Sequence, residues 1–200
     1  MNDGTFLGVN RDPEVKESHL PKTLGLKIDT IYSSPALRAT QTAKALCPNK
    51  AIKQEELLRE IDYGKAEGMT YEDLRVNYPE LISAWSKGED PSFPGGGENS
   101  LRVLARLKKF MKTLSLNALS TTLVVSHNVV LRCLIGDAHA IPPQNWHRLE
   151  IPHSVLLEFK LLEGKYYPNI PRTLLGETFS NLKGACLLYT SPSPRDGLLS

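Results

Sequence analysis

Apolar residues along this chain fall into two kinds of run: short β-branched stretches that suit strands, and longer stretches with a helical beat. The first strand signal is Ile28-Asp29-Thr30-Ile31-Tyr32-Ser33, after which Ser33-Ser34-Pro35 supplies capping and first-turn chemistry for a helix. That helix carries Leu37, Ala39, Ala43 and Leu46, and Cys47-Pro48 ends it. Upstream, residues 2–25 are rich in Gly, Pro and charge, with Pro13 and Pro21 interrupting any long helix, so a loop with room for one short helix is predicted. Helical stretches follow over Tyr71–Tyr78 and Leu81–Trp85, broken at Pro79. After a flexible loop at Pro91–Gly97, the clearest amphipathic helix shows Leu101, Leu104, Leu107, Phe110, Met111 and Leu114 at helical spacing. Thr121–Ser126 reads as a strand buried on both faces, and Val129–Ile135 as the helix after it, with His127 at the junction. Ser154–Leu162 and Lys165–Tyr167 flank Glu163-Gly164, which predicts a hairpin or an edge strand closing the sheet. Strands alternating with helices predict an α/β three-layer sandwich, a mostly parallel central sheet with helices on both faces.

Composition narrows the picture. Two hundred residues suit one domain, and 40% hydrophobic content, 23% charged content and a net charge of +2 lack the concentrated positive field that nucleic-acid binding needs. Leu123–Ile135, the most apolar segment, is interrupted by His127, Asn128 and Arg132 and falls short of the roughly 20 residues of a membrane helix. The start of the chain lacks a basic, then apolar, secretory pattern, so a cytoplasmic location is expected. Cys47, Cys133 and Cys186 are odd in number and form no CxxC pair, which argues against a disulfide framework or a zinc site.

In open α/β sheets, anions collect at the carboxyl ends of strands, where helix N-termini offer free N–H groups. Two junctions qualify: Ser33-Ser34-Pro35-Ala36-Leu37-Arg38 and Ser126-His127-Asn128-Val129-Val130-Leu131-Arg132. They set a guanidinium and an imidazole at strand exits, a pairing that suits phosphate.

The segments IYSSPALRATQTAKAL, LLREIDYGKAEGMTYEDL and LVVSHNVVLR, in this order, resemble three successive motifs of the histidine phosphatase superfamily, the phosphoglycerate-mutase-like fold. The resemblance spans roughly residues 2–168 of a domain expected over 1–171. It implies that Arg38 clamps phosphate, that Glu60 is the proton donor to the departing alkoxide, and that His127 is the second histidine, binding the phosphoryl group. Asp62 lies close enough to Glu60 to compete for its role. Asn128 stands where the family usually has glycine, and Asn2 matches the asparagine six residues after the family's nucleophile; both are candidate substrate contacts. No cofactor or metal is implied.

The family's defining Arg-His-Gly, whose histidine attacks phosphorus, matches none of the five histidines. The first strand and the nucleophile are therefore expected upstream of Met1, and the chain as it stands is expected to be inactive. The stretch from Gly8 to Ile28 is also shorter than the family's first helix requires. At the other end, residues 172–200 read as a poorly ordered tail, and residues 186–200 resemble a translated sequencing adapter and are expected to be non-native.

The implied function is hydrolysis of small phosphorylated metabolites through a phosphohistidine, as in phosphatases of the α-ribazole phosphatase and fructose-2,6-bisphosphatase kind. Phosphoglycerate mutase is the alternative, disfavoured by the modest stretch from Glu60 to His127; a non-catalytic phosphate-binding or interaction protein is a third. Pro94-Gly95-Gly96-Gly97-Glu98 lacks the Lys-Ser/Thr of a phosphate loop, and Glu98 with Ser100 is expected to cap the following helix. His147 and His153 have no accompanying carboxylate or cysteine cluster that would make a metal site.

Overall fold

Strand β1 (Thr30–Ser33) runs between β2 (Lys53–Gln54) and β3 (Thr122–Val125) in a three-stranded parallel sheet with order β2-β1-β3. The structure is a computed structural model that describes residues 4–23, 25–114, 120–152, 155–162 and 165–169. Asn2, His153, Cys186 and the tail from residue 172 lie outside the described residues.

The register pairs Thr30 with Thr122 and Ser33 with Val125, so β1 and β3 end level with each other. Period-two alternation then decides which face each side chain serves. Ile31, Leu123 and Val125 are buried with Ala39 and Ala43 of helix α1 (Leu37–Leu46). On the opposite face Tyr32 sets its ring edge-on to Phe110, centroids 5.3 Å apart, in helix α4 (Ser100–Thr113). α4 and α5 (Asn128–Ala138) pack together there and build the larger core around Val103, Leu107, Phe110, Val130 and Cys133. Helices on both faces of a parallel sheet are the layering that the alternating pattern predicts.

Two shorter helices cover the rim. α2 (Tyr71–Asn77) opens with a reciprocal capping box between Thr70 and Asp73, and α3 (Pro79–Ser86) places Pro79 in its first turn, where a missing N–H costs nothing. The short helix allowed for in the N-terminal loop is a 3₁₀ turn at Glu17–His19. β1 begins two residues later than its sequence pattern; just ahead of it Asp29 donates its N–H to Thr121 O at 2.8 Å and receives the Thr121 N–H on its carboxylate at 2.8 Å. β4 (Glu158–Leu162) and β5 (Lys165–Asn169) form the expected antiparallel hairpin. Among the described residues the hairpin does not close the parallel sheet: it stands as a separate two-stranded sheet, and Tyr166 anchors it to α4 by donating its hydroxyl to Met111 O at 2.8 Å. No helix of the described residues is long and apolar enough to cross a membrane.

Candidate active site

Because β1 and β3 are parallel and level, the residues that leave them emerge side by side. Ser34 extends the ladder by one bond, its N–H donating to Val125 O at 2.9 Å. His127 Nε2 then lies 2.8 Å from Ser34 Oγ, and both residues are buried. The next-door hydroxyl, Ser126 Oγ, donates to Leu58 O at 2.8 Å and so ties the loop carrying Glu60 to the same edge.

Glu60 is 8% exposed, and its Oε1 accepts the Ile61 N–H at 3.0 Å. Burial raises its carboxyl to about 7, against the opposing pull of that backbone bond and of the Arg38 and Arg106 charges. Burial also lowers His127 to about 3, and the same two guanidinium groups push it further in that direction. Near neutral pH the edge therefore holds a neutral imidazole beside a carboxyl that is close to half-protonated.

Arg38 stands in the first turn of α1. Its Nη1 donates to Arg11 O at 3.0 Å and to Asp12 Oδ1 at 3.2 Å, and its Nη2 to Gly8 O at 3.2 Å. Asp12 also receives the Leu37 N–H on Oδ2 at 2.5 Å, so the N-terminus of α1 is capped from across the chain. The expected cap at Ser33-Ser34-Pro35 reduces to one bond, Ala36 N–H to Ser34 Oγ at 3.3 Å. Segment 8–12 owes its place to Glu67, whose carboxylate receives the N–H groups of Gly8, Asn10 and Arg11 at 3.2, 2.9 and 2.6 Å. Gly8 is needed at this contact, since a Cβ would stand 2.8 Å from Ile61 O and 2.9 Å from the Tyr63 ring.

Gly8, Asp12, Ser34, Arg38, Arg59 and Glu60 line a cleft of about 100 Å³. Of the residues singled out in the sequence, the structure brings Arg38 and Glu60 to this cleft and seats His127 directly behind Ser34. Asn128 turns elsewhere, its side-chain amide donating to Ile151 O at 3.0 Å. Asp62 accepts the Gly64 N–H at 2.8 Å in a local turn. The expected cap of α4 by Glu98 or Ser100 is corrected: Asn99 Oδ1 receives Arg102 N–H at 2.9 Å, and the Asp90 carboxylate receives Ser100 and Leu101 N–H at 3.2 Å each. Glu98 is drawn instead to the guanidinium of Arg106, 2.9 Å away. Asp12, Arg59, Glu67 and Arg106 were not singled out in the sequence. Only Arg59, adjacent to Glu60, carries a positional signal there.

Residues 19–167 match the histidine phosphatase superfamily (branch 1). The chain belongs to this family. It is 30% identical over 131 residues to fructose-2,6-bisphosphatase of Saccharomyces cerevisiae, covering 66% of this chain and 28% of that protein. It is 28% identical over 149 residues to the 2,3-bisphosphoglycerate-dependent phosphoglycerate mutase of Beijerinckia indica, covering 70% of this chain and 72% of the mutase. In fold it resembles the crystal structure of a putative α-ribazole-5′-P phosphatase from Escherichia coli, with a TM-score of 0.70 at 21% identity, over 84% of this chain and 87% of the other. The chain thus spans under a third of the yeast relative's length.

Proposed function

We propose that this chain carries the phosphate-binding and proton-donating part of a phosphomonoester hydrolase site for small phosphorylated metabolites. The observation that carries the reading is Glu60: a buried carboxyl raised to about 7, in one cleft with Arg38 and against the buried His127–Ser34 pair. Arg38, whose planar fork matches two phosphate oxygens, neutralises the incoming group, and the Leu37 and Arg38 N–H groups, which Asp12 otherwise holds, turn to it as Asp12 gives way. His127 donates a hydrogen bond to the phosphoryl oxygens. Burial keeps the imidazole neutral, with the Arg38 and Arg106 charges adding to it, and the negative charge brought by the ester offsets those two charges. Glu60, still carrying its proton in a good share of molecules at pH 7, hands it to the ester oxygen as the bond to phosphorus breaks.

The attacking group of this chemistry is a histidine in an Arg-His-Gly sequence, which residues 1–200 do not contain. With these residues alone, the site binds phosphate esters and does not turn them over. The fructose-2,6-bisphosphatase relative supports hydrolysis. The mutase relative supports phosphoryl return to a second hydroxyl as the alternative, which the modest length between Glu60 and His127 disfavours.

Calorimetric titration with inorganic phosphate tests the site, and an aryl phosphate assay tests the chemistry. Wild type binds phosphate, Arg38→Ala and His127→Ala weaken binding by at least about tenfold, as loss of a charge-assisted bond demands, and turnover appears only when an Arg-His-Gly strand is joined upstream. Phosphate affinity indifferent to both substitutions sinks the reading.

A further inference from the structure

One ion pair grips the loop that carries Glu60. Arg106, on α4, donates Nη1 to Leu57 O at 2.7 Å and Nη2 to Glu60 O at 3.1 Å, while Nε and Nη2 reach the Glu98 carboxylate at 2.9 and 3.1 Å. Glu98 in turn receives the Asp62 N–H on Oε2 at 3.1 Å and donates its own N–H to Asp62 O at 2.8 Å. Backbone groups at 57, 60 and 62 are thereby fastened on both sides of the Glu60 side chain. The pair is largely shielded, its side chains 15% and 18% exposed, so neither charge is well screened by water.

This close approach of two loops is built into the backbone. A Cβ on Gly64 would fall 2.2 Å from Pro94 O, and one on Gly97 would fall 2.7 Å from Asp62 O, so both positions exclude a side chain. The glycine-rich stretch before α4 thus serves to bring Glu98 against the Glu60 loop.

We infer that Arg106 and Glu98 are a positioning pair that holds the Glu60 carboxyl in the cleft and balances the charge it feels, Arg106 favouring the carboxylate and Glu98 tempering Arg106. The inference rests on Glu60 being the proton donor. Arg106 bonds the backbone carbonyl of Glu60 itself, and its charge reaches both Glu60 and His127. The other charged or titratable groups that act on Glu60 or that it acts on are Arg38 from α1, Tyr63 from its own loop, and Arg132 and Cys133 along α5, with Arg59 beside it at the cleft. None of them is altered in the variants below.

The test is the titration of the Glu60 side-chain carboxyl by ¹³C NMR in the full 200-residue chain, assigned with Glu60→Gln. Arg106→Met removes a positive charge and raises the midpoint by roughly one pH unit, whereas Glu98→Gln unmasks Arg106 and lowers it by a similar amount. Arg106→Lys keeps the charge but loses the fork, so its midpoint stays near wild type. Opposite shifts are the signature, since a purely structural lesion would move both variants the same way. Equal or same-sign shifts in Arg106→Met and Glu98→Gln overturn the inference. If Arg106→Met does not fold, an unmoved midpoint in Glu98→Gln overturns it alone. Phosphate titration of wild type, run alongside, reports separately on the underlying reading of the cleft.

Discussion

Ser34 and His127 follow the ends of neighbouring parallel strands and are themselves buried, whereas in segment 8–12, which also lines the cleft, Asn10, Arg11 and Asp12 are exposed and the segment hangs on one carboxylate. The first wall is fixed by the sheet ladder and by cores on both faces of the sheet. The second depends chiefly on Glu67 below it and on the contacts of Asp12, Arg11 O and Gly8 O with Arg38. One wall thus inherits its geometry from hydrophobic packing, and the other from a few polar contacts within reach of water. Shielding permits the shifted titrations of Glu60 and His127, and accessibility leaves the Arg38 wall free to exchange partners.

The largest effect expected from this difference lies in the buried wall. Glu60 titrates near 7 in the fold against 4.5 in a free chain, so folding binds a proton between these values and stability falls as pH rises through them, by about 3 kcal/mol at completion. His127 acts in the opposite sense: its value drops from 6.5 to about 3, so stability falls as pH decreases through that interval, by up to about 5 kcal/mol. Between 4.5 and 6.5 the two slopes offset, which places the stability plateau there. Urea unfolding at a series of pH values checks both limbs. Glu60→Gln abolishes the decline toward pH 8 and turns the plateau into a rise that continues to pH 6.5, because the His127 slope is no longer offset; a plateau unchanged in this variant would mean that Glu60 is not buried as described.

A smaller effect is expected in the surface wall. Glu67→Gln keeps the shape of the side chain but removes the charge that gathers the three N–H groups, a loss of about 1–3 kcal/mol in holding the loop. Hydrogen exchange at Gly8, Asn10 and Arg11 should accelerate by roughly tenfold or more, with global stability nearly unchanged because the core is untouched. Co-unfolding of the loop with the sheet would show instead that the two walls are one unit.

The smallest effect concerns Asp12. Its carboxylate already occupies the α1 N-terminus and pairs with Arg38, the two groups to which the proposed function assigns the phosphate. The pair is partly exposed, which limits its worth to about 1 kcal/mol. Asp12→Asn should therefore tighten inorganic phosphate binding about fivefold, measured by calorimetry, and weaker binding would show that Asp12 orients Arg38 more than it competes with the ligand.

The same contrast governs what the sequence reveals. α4, α5, β1 and β3 are readable because burial imposes a period on many consecutive residues, and Arg38, Glu60 and His127 are readable because they sit in short contiguous motifs. β2 is not, since its only residues, Lys53 and Gln54, are exposed and carry no apolar signal. The contacts of Asp12 with Leu37 and of Glu67 with Arg11 join residues 25 and 56 positions apart, a distance over which local pattern says nothing. Glu98 escapes the local pattern for a related reason: its position suits a cap, but Arg106, eight residues on, offers a partner of opposite charge.

His127 reaches Ser34 across 93 positions of chain, with α1 to α4 lying between. Parallel pairing of β1 with β3 has to await closure of that entire span, while the intervening helices form from near neighbours. The edge of the sheet that carries Ser34 and His127 is thus a late product of folding. The Ser34–His127 contact cannot form in a nascent chain until β3 has emerged and paired with β1, so the edge of the sheet is completed only in molecules that have already made its longest connection.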